Sequence, residues 1–429
     1  MEKGKDANIG DRIRVKQAKE EIEGILLESY EPGIVLIKLD SGYNIGISRE
    51  NILAIKVIKK FENKVNEEKK DFKQSHNKPR IDIIITGGTL SSSLDVKTGG
   101  VKFLTSPENL FKFYPEIFEL ADVNVINPFM KWSENMSSND WKKIARLVVK
   151  SLNDENVKGV IVTHGTDFLH YTSSALSFFI KNLNKPVVLT YSQRSTDRGS
   201  SDASLNLYCA AKAALSDIAE VMLVGHADSS DDYCFALRGT KVRKMHSSRR
   251  DAFKPINTKP IAKIYRDKLE ILSNYNRRNK NKALVDEIFE EKVALVKFYP
   301  GQDPEILEHY LNLGYKGIVI EMTGLGHVLT EGENNWIPVL KKVIDKGMVV
   351  CACCQTIYGA LNPMVYEAGR RIEGTGVIYL RDMLCETAFV KLGWVLGKLG
   401  DKEIKKEDVK SLMLKNISGE FNERLGEEN

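Results

Sequence analysis

The stretch Ile81-Asp82-Ile83-Ile84-Ile85-Thr86-Gly87-Gly88-Thr89-Leu90 constrains this chain more than any other. It is a continuous apolar run, far too short to span a membrane, that stops at two adjacent glycines and a hydroxyl residue. Such a run predicts a strand buried on both faces, the kind found in parallel sheets covered by helices. In open sheets of that type, chemistry collects at the carboxyl ends of the strands. Gly87 and Gly88 allow backbone conformations closed to other residues, so main-chain N–H groups can converge there on a ligand oxygen beside the Thr89 hydroxyl. A plain strand-to-loop turn would use the same residues, so the rest of the chain has to decide.

On either side of this strand the pattern changes character. Short β-like pieces at Arg12–Val15, Glu23–Leu27, Ile34–Leu39 and Tyr43–Ile47 are separated by Pro32-Gly33 and Asp40-Ser41-Gly42 turn signals. They predict a small all-β barrel or meander over residues 1–60, and a charged linker follows over 61–79. From residue 80 strands alternate with helices, with strands at 81–86, 123–126, 159–163, 187–190 and 220–224 and helices near 138–152, 168–181 and 203–215. Ser137 and Asp140 have capping-box spacing ahead of the first of these helices. This spacing predicts an α/β domain over 80–255, a mostly parallel sheet with helices on both faces. The pattern breaks down over 256–291, which is read as an interdomain connection containing the solvated charge run 277–282. A second strand and helix series makes a smaller α/β domain over 292–400, and 401–429 is a charged tail with one short helix.

Composition narrows the class. With 429 residues and 42% hydrophobic content, two or three well-cored domains are expected. A net charge of +5 permits contact with RNA without demanding it. No apolar run reaches membrane-spanning length, and the first residues, Met1-Glu2-Lys3-Gly4-Lys5-Asp6, lack the apolar centre of a signal peptide, so a cytoplasmic protein is expected. The six cysteines fall mostly in apolar strands or helices without C-x-x-C spacing; they read as buried thiols, and no metal site is expected.

Two further clusters carry chemistry. The strand at 159–163 ends in His164-Gly165-Thr166-Asp167, again a glycine and a threonine, now with a carboxylate, where a helix begins. Thr and Asp are favoured at helix N-termini as caps, but capping explains only one of the two. The third cluster, Lys241 through Arg250, is rich in basic and hydroxyl residues. Alone it reads as a solvated basic loop.

Together, T-G-G-T, H-G-T-D and a downstream lysine resemble the L-asparaginase family. Carried over residue by residue, the resemblance implies Thr89 as primary nucleophile, Thr166 and Asp167 as the second catalytic pair, and Lys244 as the fourth member. Lys244 is chosen over Lys241 and Arg243 by its spacing to Ala252-Phe253-Lys254. Gly88, Ser133 and Glu134 match substrate-binding positions, the last two for the α-amino and α-carboxylate groups. The resemblance narrows on Ser133-Glu134-Asn135-Met136, Gln193 through Arg198, Thr323-Gly324-Leu325-Gly326-His327 and Asn416 through Arg424. With the amino-terminal β region, these look like the GatD family of archaeal glutamyl-tRNA(Gln) amidotransferases.

That resemblance implies a glutaminase that releases ammonia from glutamine. A partner in the same amidotransferase, GatE, would use it to convert Glu-tRNA(Gln) to Gln-tRNA(Gln). It implies no cofactor in this chain, ATP and Mg used by the partner, tRNA(Gln) bound mainly through the partner, a homodimeric core and a heterodimer of dimers. A stand-alone asparaginase or glutaminase, and an inactive scaffold, are the alternatives. Two positions depart from the family pattern: Val96 stands where a lid tyrosine is usual, and Cys353-Cys354-Gln355-Thr356 with Gly359 through Met364 differ in loops that complete a neighbour's site. Ser91, Ser92, Ser93, Tyr43 and Tyr299 are candidates to replace the lid hydroxyl.

Overall fold

Ile81, Ile83 and Ile85 pack into one core cluster while Ile84 packs into another, so the strand Arg80–Ile85 buries both of its faces. This alternation follows from the two-residue period of a strand, and each isoleucine buried this way contributes roughly 1.5–3 kcal/mol. The structure, a computed structural model, describes residues 7–29, 31–40, 44–60, 77–94, 101–103, 113–194, 201–400 and 406–424.

Arg80–Ile85 is second from the edge of an eight-stranded sheet. From that edge the order is Asp122–Ile126, Arg80–Ile85, Val157–Thr163, Val187–Thr190 and Val221–His226, all joined by parallel ladders. Tyr233–Arg238, Ala262–Tyr265 and Leu269–Ile271 continue the sheet antiparallel. The segment read from sequence as a connection therefore begins with two sheet strands. They are four and three residues long at the sheet's far edge, too short to show a clear alternation.

Helices Ser138–Leu152 and Leu169–Phe179 contribute to the Ile84 side, and Ala203–Leu215 covers the other. The first begins as its spacing predicts: the Asp140 carboxylate accepts the Ser137 backbone N–H at 2.8 Å, and the Asp140 N–H returns to the Ser137 carbonyl at 3.0 Å.

The second α/β unit is a parallel four-stranded sheet of Val293–Lys297, Gly317–Met322, Val349–Cys354 and Ile378–Tyr379. Its helix Cys385–Leu399 lies against Leu169–Phe179, with Trp394 stacked on Phe178 at 5.9 Å. One core cluster runs through this junction from Val160 to Trp394, so the two units share an interior. A helix at Lys406–Leu414 leads to the segment 416–424, which folds back onto both.

At the amino end, a five-stranded antiparallel sheet encloses its own small core of Ile13, Val15, Val35, Ile37, Ile47 and Ile52. Its fifth strand, Ala54–Lys59, pairs with Arg12–Lys16 and was not expected from sequence. Among the described residues no helix is long and apolar enough to cross a membrane.

Candidate active site

The two motif loops leave adjacent parallel strands at the same end of the large sheet. Thr86 donates its hydroxyl to the Thr163 carbonyl at 2.7 Å, which locks the exits of the two strands together. Gly87 and Gly88 then take φ of 128° and 85°, which other residues avoid. Close approach requires glycine here as well: a methyl on Gly87 would lie 2.1 Å from the Lys131 carbonyl oxygen, and one on Gly88 would lie 2.6 Å from the His164 carbonyl. Thr89 follows at the start of a short 3₁₀ turn, half-buried.

The second loop is built on His164, which is fully buried. Its Nδ1 lies 2.7 Å from the Gly165 carbonyl, an acceptor only, so Nδ1 carries the proton and Nε2 accepts the Thr172 hydroxyl at 2.8 Å. Burial pushes the imidazole down to about 4, so the ring is neutral and this hydrogen-bond pattern is fixed.

Thr166 and Asp167 precede the helix Leu169–Phe179, and no side chain caps it. Lys244 Nζ donates instead to Thr166 Oγ1 and to Asp167 Oδ1, each at 2.8 Å. The capping explanation therefore fails for both residues. The lysine side chain is only 13% exposed, whereas Asp167 is 61% exposed. Lys244 ends the strand Val242–Lys244, opposite Phe253 in a two-stranded ribbon with Phe253–Pro255.

Ser133 is buried below this loop, and its hydroxyl accepts the backbone N–H groups of Asp167 at 3.2 Å and Phe168 at 3.4 Å. A methyl on Gly165 would lie 2.9 Å from the same oxygen. Ser133 thus fixes the Asp167 backbone, while its own proton remains available to a ligand. Glu134 is exposed next to it. Both line a cavity of about 500 Å³ between the two α/β units, where Trp141, Phe168, Tyr171, Phe289 and Phe389 meet polar residues such as Ser137, Asn139 and Glu291. Thr89, Thr166, Asp167 and Lys244 do not line it. The charged cluster and this cavity are neighbouring but separate features.

The structure thus joins Thr166, Asp167 and Lys244 by direct hydrogen bonds, ties Ser133 to Asp167, and sets Gly88 with Thr89 against the same loop. Val96 and Tyr43 lie outside the described residues. Tyr299 is exposed in the second unit, just past Val293–Lys297. Sequence reading missed Asp382 and Glu386, two buried carboxylates that pair with Lys241 and Arg243 beside the lysine. The Glu386 carboxyl is held below its ordinary value: burial alone would raise it, but His170 and the Arg243 charge outweigh that.

Residues 80–277 match the family described as asparaginase, N-terminal; 292–412 match the glutaminase/asparaginase C-terminal domain; and 7–58 match the GatD N-terminal domain. The corresponding glutamyl-tRNA(Gln) amidotransferase chain of Pyrococcus furiosus, a GatD protein, is 47% identical, covering 98% of this chain and 96% of its own. This chain belongs to the GatD family of glutamyl-tRNA(Gln) amidotransferases. Another member, from Methanobrevibacter smithii, is 44% identical over 97% of this chain and 94% of its own. Among solved structures, an L-asparaginase from Thermococcus kodakarensis superposes with a TM-score of 0.71 at 29% identity, covering 80% of this chain and all of that one. L-asparaginase I from Vibrio cholerae gives 0.68 at 27% identity, covering 80% of this chain and 99% of its own. The asparaginase-like two-unit α/β fold is thus the fold seen here, with the small antiparallel β sheet of the GatD family added in front.

Proposed function

We propose that this chain is the amidohydrolase component of a glutamyl-tRNA(Gln) amidotransferase, releasing ammonia from glutamine for the amidation of Glu-tRNA(Gln). The observation that carries this is the Lys244 amine held between Thr166 and Asp167, next to the glycine turn that presents Thr89. Amide hydrolysis needs a nucleophile, a proton acceptor for it and donors for the developing oxyanion. Thr89 supplies the attacking hydroxyl. As Thr89 attacks the amide carbon, its proton passes through the Thr166 hydroxyl to the neutral Lys244 amine, and Asp167 holds the resulting ammonium. That proton then goes to the departing ammonia, leaving a Thr89 ester that water hydrolyses. Backbone N–H groups at Gly88 and Thr89 face the oxyanion, while Ser133, Glu134 and Asp167 hold the charged end of glutamine.

The partner is GatE, which uses ATP and Mg and makes most of the contact with tRNA(Gln); this chain carries no cofactor. The assembly is a heterodimer of dimers around a homodimer of this chain, in the cytoplasm. The domain division keeps the sequence reading of a β domain to residue 60, a linker to 79, the catalytic α/β domain from 80, a connection to 291, the smaller α/β domain to 400 and the tail beyond, except that the catalytic domain runs past 255 to include the sheet strands Ala262–Tyr265 and Leu269–Ile271. Another hydroxyl replaces the lid tyrosine at Val96, or the isolated chain is slow until its partner and tRNA bind.

The deciding experiment is Thr89→Ala in the assembled complex. Glutamine hydrolysis should disappear, while amidation of Glu-tRNA(Gln) driven by added ammonium should persist, because the partner's chemistry is intact. Near-parental glutaminase in this variant would remove Thr89 from its role.

A further inference from the structure

The strand that carries Lys244 is held from behind by the second unit and the tail. Three of the four residues before Lys244 make the attachments. The Thr240 carbonyl accepts the Thr387 hydroxyl at 3.0 Å, and the Thr240 hydroxyl donates to the Ser418 carbonyl at 2.9 Å. Lys241 pairs with Asp382, both side chains 1% exposed. The Asp382 carboxylate is completed by Asn422, whose backbone N–H reaches Oδ1 and whose side-chain amide reaches Oδ2, each at 2.9 Å. Arg243 Nε meets Glu386 Oε1 at 2.9 Å. Val242, between them, is buried in the core.

Alternate residues of a strand point to opposite faces, so within Val242–Lys244 Arg243 turns one way while Val242 and Lys244 turn the other, and Lys241, just ahead of the strand, reaches Asp382. The geometry points to Asp382, Glu386 and Asn422 as positioning residues that set the register of this strand, and so aim the Lys244 amine at Thr166 and Asp167. Register is the quantity at stake. A slip of one residue would turn Lys244 away from the site and strand the Lys241 charge in the interior without its carboxylate. That stranded charge is costly, so the paired arrangement is strongly selected over its neighbours. Asn422 belongs to the tail, which therefore takes part in the amidohydrolase site as well as in any assembly role.

This rests on the reading of Lys244 as a catalytic residue, and the experiment separates the two. In the assembled complex, Asn422→Ala and Glu386→Gln are compared with the parent for glutamine hydrolysis, thermal melting and retention of the partner, with Lys244→Ala as control. Each variant should lose about tenfold in kcat with KM nearly unchanged and partner retention preserved at a temperature well below its melting point, even where melting falls, within the roughly hundredfold that a 1 Å misplacement of a catalytic group costs. Parental kcat in both variants beside an inactive Lys244→Ala would overturn the positioning role and leave the tail to assembly alone. An active Lys244→Ala would overturn the catalytic reading beneath it.

Discussion

In the proposed reaction Lys244 is both an ion-pair partner and a proton acceptor, and of the two long cationic side chains only lysine can do both. Arginine keeps its charge and would reach Asp167, but its guanidinium does not give up a proton. Lys244→Arg should therefore lose glutamine hydrolysis as fully as Lys244→Ala, measured as ammonia release at saturating glutamine. An arginine variant that kept most of the rate would reduce the lysine to an electrostatic anchor. At this scale the sequence carried much: T-G-G-T, H-G-T-D and the lysine were readable as motifs, and the structure brings them into one place. Asp382 and Glu386 were not readable. Lys241 and Asp382 are 141 residues apart, and neither a buried lysine nor a buried aspartate has a local signature that separates it from the many exposed ones.

The loop from His164 to Phe168 works as one element because its buried histidine has both ring nitrogens engaged. Its ordinary value is 6.5, and in the folded chain it lies at about 4. Between those values the unfolded chain binds the proton and the folded chain does not. The stabilisation is therefore complete above about pH 6.5 and is lost as pH falls toward 4, on the order of 3 kcal/mol at the acid end. His164→Gln, which cannot titrate, should be less stable at neutral pH but show a shallower loss of melting temperature between about pH 7 and 4. An equal slope in both proteins would assign the acid sensitivity elsewhere. Elements were legible where apolar periodicity ran long, as in the strand Arg80–Ile85 and the helix Ser138–Leu152. They were lost where strands are short or peripheral: Ala262–Tyr265, Leu269–Ile271 and Ala54–Lys59 owe their places to neighbours in the sheet.

For the whole molecule, the small β sheet has a core of its own, separate from the two clusters that flank the strand Arg80–Ile85. It carries none of the candidate catalytic residues. Removing residues 1–75 should leave the α/β core folded and hydrolysing glutamine while weakening transamidation or retention of the proposed partner. Unchanged transamidation by the truncated protein would refute a coupling role for this region. The division into these units was visible from composition and motif order; the shared interior between the two α/β units was not, since it arises from residues such as Phe178 and Trp394 that are far apart in sequence.

The return of segment 416–424 onto the strand of Lys244 also bears on the timing of synthesis. When the candidate catalytic threonines and lysine have left the ribosome, the chain still has to reach Asp382, 141 residues beyond Lys241, and the Asn422 side chain that also reaches the Asn257 carbonyl comes later still. Contacts of such long sequence separation form last. A nascent chain thus holds the candidate reactive groups before it holds the contacts that aim them, and on the positioning role argued above its full rate of ammonia release waits for segment 416–424 to dock.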